Sequence, residues 1–112
     1  MANQILTTNT QKDSFGIVNI ATGKIVSDAG VAIAETFTPG FVPRYIKFVN
    51  QTDRITDEWF DGMAAAESLH QVAAGTLTDE TVNGITVNAD GSFTLTATTM
   101  VASKTFYWLA LG

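Results

Sequence analysis

Period-two alternation is the feature of this chain that most limits its fold. In residues 93–98, Phe93, Leu95 and Ala97 alternate with Thr94, Thr96 and Thr98. Successive side chains of a strand point to opposite faces, so the run describes a half-buried strand with one apolar side. Similar short runs recur along the chain, separated by turn signals such as Asn83-Gly84 and Asp90-Gly91. Seventeen threonines against two prolines push the same way, because β-branched residues suit a pleated surface. The expectation is an all-β fold, a β-sandwich or jelly roll of about eight short strands with at most one short helix.

Individual segments follow from the same rule. Residues 15–20 and 24–27 read as a hairpin around Ala21-Thr22-Gly23, with glycine supplying the turn. Residues 31–38 place Val31, Ile33 and Phe37 on one face, and Pro39-Gly40 ends the run. Residues 41–50 are apolar on both sides: Val42, Ile46 and Phe48 share a face with Arg44, while Phe41, Tyr45 and Val49 share the other with Lys47. Pro43 lacks a ladder donor, which predicts an edge or a strand start there. Residues 55–60 pair Ile55 with Trp59 against Glu58 and Phe60. Between Gly62 and Gly75, Met63, Ala66, Leu69 and Val72 fall at helical spacing, which makes residues 63–74 the one expected short helix, although a run this short is also compatible with an extended edge segment. Residues 103–111 are again apolar on both faces, with Phe106 and Trp108 opposite Tyr107, Leu109 and Leu111. A strand of that kind is either central or half of an interface.

A length of 112 residues suits one domain, expected over residues 14–112. Residues 1–13 are polar apart from Met1 and the pair Ile5 and Leu6; they read as an arm that either frays or orders on a neighbouring subunit. They carry no apolar leader run, and no stretch has the length of a membrane span, so the expectation is a soluble protein made inside the cell.

Charge narrows the partners. The net charge is −5, and the six Lys and Arg residues are scattered singly. A nucleic-acid binder needs a basic stripe to neutralise phosphates, and an anionic membrane asks for the same, so neither is an expected partner. Charged residues make up only 15% of the chain, which points to surface covered by other protein. Without cysteine there are neither disulfides nor thiolate metal sites.

Catalytic motifs are sparse. His70 is the single histidine, and no Gly-x-Ser-x-Gly elbow frames a nucleophile for it. Asp53, Asp57, Glu58 and Asp61 cluster, but alternation sends Asp57 and Asp61 one way and Glu58 the other. The Asp-x-Asp-x-Asp-Gly calcium pattern is absent. No phosphate-binding glycine loop occurs either. The expectation is therefore no catalytic residue, no cofactor and no metal, with a glycosidase built on Asp57 or Glu58 with Asp61 as the least favoured reading.

Three strings carry a resemblance. They are Phe41-Val42-Pro43-Arg44-Tyr45-Ile46-Lys47-Phe48-Val49-Asn50-Gln51-Thr52-Asp53, then Glu58-Trp59-Phe60-Asp61-Gly62-Met63, then Ala102-Ser103-Lys104-Thr105-Phe106-Tyr107-Trp108. Together they resemble small virion-associated proteins of tailed bacteriophages and prophages, some of which decorate or cement the capsid. The likeness spans Val31 to the C-terminal residues and brings no catalytic residues with it. It implies a β-rich, oligomeric structural component bound to the major capsid protein or other virion proteins; the doubly apolar strands 41–50 and 103–111 add the expectation of a homo-oligomer, a trimer by preference. The implied location is the capsid surface of a virion assembled in the bacterial host cytoplasm. Phe41, Tyr45, Tyr107 and Trp108 are the candidate interface residues. The alternative is a carbohydrate- or receptor-binding module of a tail fibre or spike, for which Trp59, Trp108, Tyr45 and Tyr107 would form a stacking platform.

Overall fold

The computed structural model describes residues 19–112. It contains eight strands: β1 (Ile20–Val26), β2 (Glu35–Phe37), β3 (Tyr45–Asn50), β4 (Ile55–Phe60), β5 (Glu67–Gln71), β6 (Leu77–Val87), β7 (Phe93–Leu95) and β8 (Thr105–Leu111). All pairings are antiparallel, and the strands form one sheet in the order β1-β8-β3-β4-β5-β6-β7-β2. The fold is all-β, as the alternation requires. In place of two stacked sheets there is a single sheet that curls on itself. Phe37 on β2 lies 5.7 Å from the Phe48 ring on β3 and 6.3 Å from Trp108 on β8, although β2 and β8 sit near opposite ends of the strand order.

The concave side holds the core: Ile46 and Phe48 of β3, Trp59 of β4, Ile85 of β6, Phe93 and Leu95 of β7, Phe106 and Ala110 of β8, and Met100 from the connection before β8. Removing these large side chains from water supplies the main favourable term of folding, about 1.5–3 kcal/mol for each fully buried one. The curl lets one sheet do what two sheets do in a sandwich.

Several local expectations need correction. Residues 63–74 contain no helix. Gly62 and Ala66 take positive φ (104° and 63°), which interrupts any helical run, and residues 67–71 form β5. A helix of that length is marginal alone. As a strand it is hydrogen-bonded on both edges, by β4 and β6. Gly75, with φ of 93°, turns the β5–β6 hairpin rather than ending a helix.

The predicted first hairpin is also replaced. Residues 20–26 are continuous, and Ala21-Thr22-Gly23 lies inside β1, paired along its length with β8. Of the expected strand 15–20, only Ile20 falls in a described strand; residues 15–18, like the arm of residues 1–13, lie outside the described residues. Residues 31–38 contribute only the three residues of β2, with Val31 and Ile33 exposed. Pro43 is buried just before β3 begins, in line with the strand-start expectation.

Asp90-Gly91 makes the expected turn: Asn88 N–H donates to the Ser92 carbonyl at 2.7 Å, and Gly91 has φ of 91°. Asn83-Gly84 does not end a strand. It belongs to an excursion within β6, where Ser68 pairs with Glu80 and the next residue back, Glu67, pairs with Ile85. The four residues between are looped out, a large bulge that bends the sheet. One oxygen of the Glu80 carboxylate accepts the backbone N–H groups of Thr81, Val82 and Asn83 at 3.1, 3.1 and 3.2 Å.

Candidate interaction face

The convex side of β1, β8, β3 and β4 carries the side chains that alternate with the core. The ladder registers align them into rows. Ile20, Leu111, Tyr45 and Phe60 follow one another across the four strands. The next row is Thr22, Leu109, Lys47 and Glu58, continued by Leu69 on β5. The third is Lys24, Tyr107, Val49 and Thr56. Ile20 is 60% exposed, Phe60 45% and Tyr107 40%. A scattered exposed apolar residue is ordinary, whereas exposed apolar residues aligned across several strands make this face the candidate interaction surface.

Its polar groups are partly spoken for. The Tyr45 hydroxyl donates to Glu58 Oε2 at 2.6 Å, and its ring meets Phe60 edge-on at 5.1 Å. Burial, then the hydrogen bond to Glu58 and that carboxylate's charge, pushes the Tyr45 phenol up to about 12. Lys24 Nζ lies 5.8 Å from the Tyr107 ring centre, a cation–π contact. Two lysines against one glutamate make these rows locally positive on a chain of net charge −5. Such a contrast steers a face toward partners with an acidic rim.

Of the four candidate interface residues, Tyr45 and Tyr107 lie on this face, one strand apart. Phe41 and Trp108 do not. Both pack against the core. Trp108 meets Phe93 edge-on at 5.2 Å and covers Gly23 of β1. Sequence reasoning missed Ile20 and Phe60. The Phe60 signal was present, since it alternates with Trp59 and so must face away from the core.

The carboxylates and the histidine separate as alternation demands. Glu58 is on the convex face, while Asp57 is on the concave side and only 2% exposed. Asp57 Oδ1 accepts Ser68 Oγ at 2.8 Å and meets His70 Nδ1 at 2.8 Å. These bonds are what make a buried carboxylate tolerable. The group borders a cavity of about 220 Å³ whose walls include Asn50, Asp53, Glu80 and Asn83.

The carboxylates of that cavity have structural work. Glu80 holds the β6 excursion, and Asp53 bonds Asn50 Nδ2 at 3.0 Å and Lys104 Nζ at 3.1 Å. The lysine bond comes first among the causes that hold the Asp53 carboxyl below the usual range. An Asp57–His70 pair could in principle orient an imidazole for proton transfer. The neighbouring hydroxyl, Ser68, donates to the carboxylate and not to the ring. Among the described residues no group of three or more His, Asp or Glu side chains is placed to hold a metal ion. Comparison with protein-family models, with curated proteins and with solved structures finds no match.

Proposed function

We propose that this chain is a non-enzymatic structural module that attaches to an assembled protein shell through the convex face of β1, β8, β3 and β4. The observation that carries the reading is the row Ile20, Leu111, Tyr45 and Phe60, an apolar band laid across four strands that, among the described residues, leaves Ile20 and Phe60 exposed and Leu111 and Tyr45 half-buried. The resemblance of residues 41–53, 58–63 and 102–108 to small phage virion proteins makes the shell a phage capsid, with the chain acting as a decoration or cement protein. We assign the same face to self-association as a homo-oligomer, a trimer by preference. Each contact with the lattice can be weak while attachment is tight, because later contacts form at high effective concentration.

The test mixes purified protein with capsid shells that lack it, and separately with unassembled capsid subunits. Co-sedimentation with shells only, and its loss in Phe60→Asp, is the expected result. Absence of co-sedimentation, or equal binding to free subunits, would overturn the cement reading. Saturable glycan binding by the isolated protein would instead favour the receptor-binding alternative, for which the neighbouring rings of Tyr45 and Phe60, with Tyr107 on the same face, are the support.

A further inference from the structure

The cavity beside Asp57 lies apart from the convex face, and its walls combine two chemistries. Phe48, Ile55 and Val101 line it with apolar surface, while Asp53, Asp57 and Glu80 bring carboxylates to it. Two of those carboxylates are already engaged. Asp53 is matched by Lys104 Nζ at 3.1 Å, and Glu80 Oε2 is taken by three backbone N–H groups. Asp57 differs. It is 2% exposed, and its Oδ1 accepts Ser68 Oγ and meets His70 Nδ1, whereas its Oδ2 accepts no hydrogen bond among the described residues. A carboxylate has about four acceptor sites, and burial makes those left empty costly. No lysine or arginine lines the cavity among the described residues, and three carboxylates outnumber the one histidine. A mostly apolar hollow with a few converging polar groups is the usual form of a small-molecule site.

We infer that this cavity binds an organic cation, a primary ammonium on a short alkyl stem, with the ammonium on Asp57 Oδ2 and the stem against Phe48, Ile55 and Val101. Charge selects a cation over a neutral hydroxyl. A hydrogen bond between ionised partners is roughly twice as strong as a neutral one, and a buried pair is little screened by salt. The spread of the carboxylates selects an organic cation over a bare metal ion. Among the described residues no three His, Asp or Glu side chains are placed to share an ion. An alkyl stem, by contrast, gains from leaving water for the apolar lining. Size selects a short stem, since about 220 Å³ is below the roughly 300–1,000 Å³ of sites for drug-sized ligands. Both a free alkylamine and the lysine side chain of a partner protein carry this chemistry. The site does not rest on the shell-binding reading, which uses the other side of the sheet.

Titration of the whole chain with n-butylammonium chloride, followed by NMR, tests the site. Saturable shifts of the Ile55 and Val101 methyl groups are expected, with Ile20 and Phe60 on the convex face unmoved. The uncharged n-butanol should bind at least about tenfold more weakly, because it forgoes the ionic hydrogen bond. Asp57→Asn should weaken n-butylammonium by at least about tenfold for the same reason. Should that variant fail to fold, Thr98→Trp gives a second readout. Thr98 is an exposed part of the cavity wall, so a large ring there should block binding and leave the melting temperature near the native value. Absence of saturable shifts, equal affinity for n-butanol, the same shifts with sodium chloride, or undiminished binding in either folded variant would overturn the inference. Nα-acetyl-lysine N-methylamide separates the two sources. Binding as tight as that of n-butylammonium assigns the cavity to a partner's lysine, and binding of the free amine alone assigns it to a small molecule.

Discussion

Across the β1–β8 ladder Gly23 stands directly opposite Trp108, and the indole lies over the glycine. A Cβ built at Gly23 would fall on the Trp108 ring, so a side chain there displaces the tryptophan from its contacts with Phe37 and Phe93. Gly23→Ala is expected to cost about 1–3 kcal/mol in chemical denaturation, the usual penalty for overpacking. Tyr45 makes a second prediction at this scale. Its phenol is raised to about 12, so the folded state holds the proton more tightly than the unfolded one. That contribution is fully present below the ordinary tyrosine range near pH 10 and is lost as pH rises toward 12. In Tyr107→Phe, Tyr45 is the remaining tyrosine, and its phenolate absorbance should rise with a midpoint near 12. Glu58→Gln in that background should lower the midpoint, because two of the three causes of the shift then weaken.

Among the elements, β6 departs furthest from its expected form. Its excursion at residues 81–84 depends on Glu80, whose carboxyl is held below the usual range chiefly by the Val82 and Asn83 N–H groups, with Thr81 adding to them and burial opposing. A depressed carboxyl pKa contributes stability that is present at neutral pH and lost as pH falls through the folded value. Glu80→Gln should therefore be less stable than the native protein near pH 7, and the gap should close at acid pH, as read from urea midpoints across the range. Gly84 closes the same excursion: an added Cβ would lie 2.6 Å from the Ala66 carbonyl oxygen and 2.7 Å from the Ser68 nitrogen. Two backbones meet there, and neither can yield without breaking the β5–β6 ladder. The Asn-Gly dipeptide thus marks a real irregularity, though of a different kind from the expected turn. β5 shows the opposite lesson. Its helical spacing was genuine, but Ser68 and His70 both bond Asp57 from the neighbouring strand, and only an extended segment points them to the same side.

For the whole molecule, the convex face, with Ile20, Phe60 and Tyr107 exposed among the described residues, predicts association. Light scattering at tens of micromolar, about tenfold or more above the dissociation constants usual for specific contacts, should show a homo-oligomer in the native protein. Phe60→Asp should shift the distribution toward monomer with little change in melting temperature, since Phe60 is 45% exposed and lies outside the core. A monomeric native protein would confine oligomerisation to the shell itself.

The amino-acid sequence determined the all-β class, the span of β4, the Asp90-Gly91 turn and the division of Asp57 from Glu58, because each follows from local alternation or turn chemistry. It named Tyr45 and Tyr107 as interface candidates together with Phe41 and Trp108, without separating the outward rings from the inward ones. Tertiary structure decided the rest. Whether a doubly apolar strand is central or half of an interface depends on its neighbours: β3 lies between β8 and β4, so Phe48 faces the core while Tyr45 joins the convex rows. Trp108 turned inward because Gly23, Phe37 and Phe93, far away in the chain, leave room for one large ring among them. Residues 67–71 became a strand because two flanking strands satisfy their backbone. The one-sheet curl arose in the same way, from long-range pairing that no local window contains.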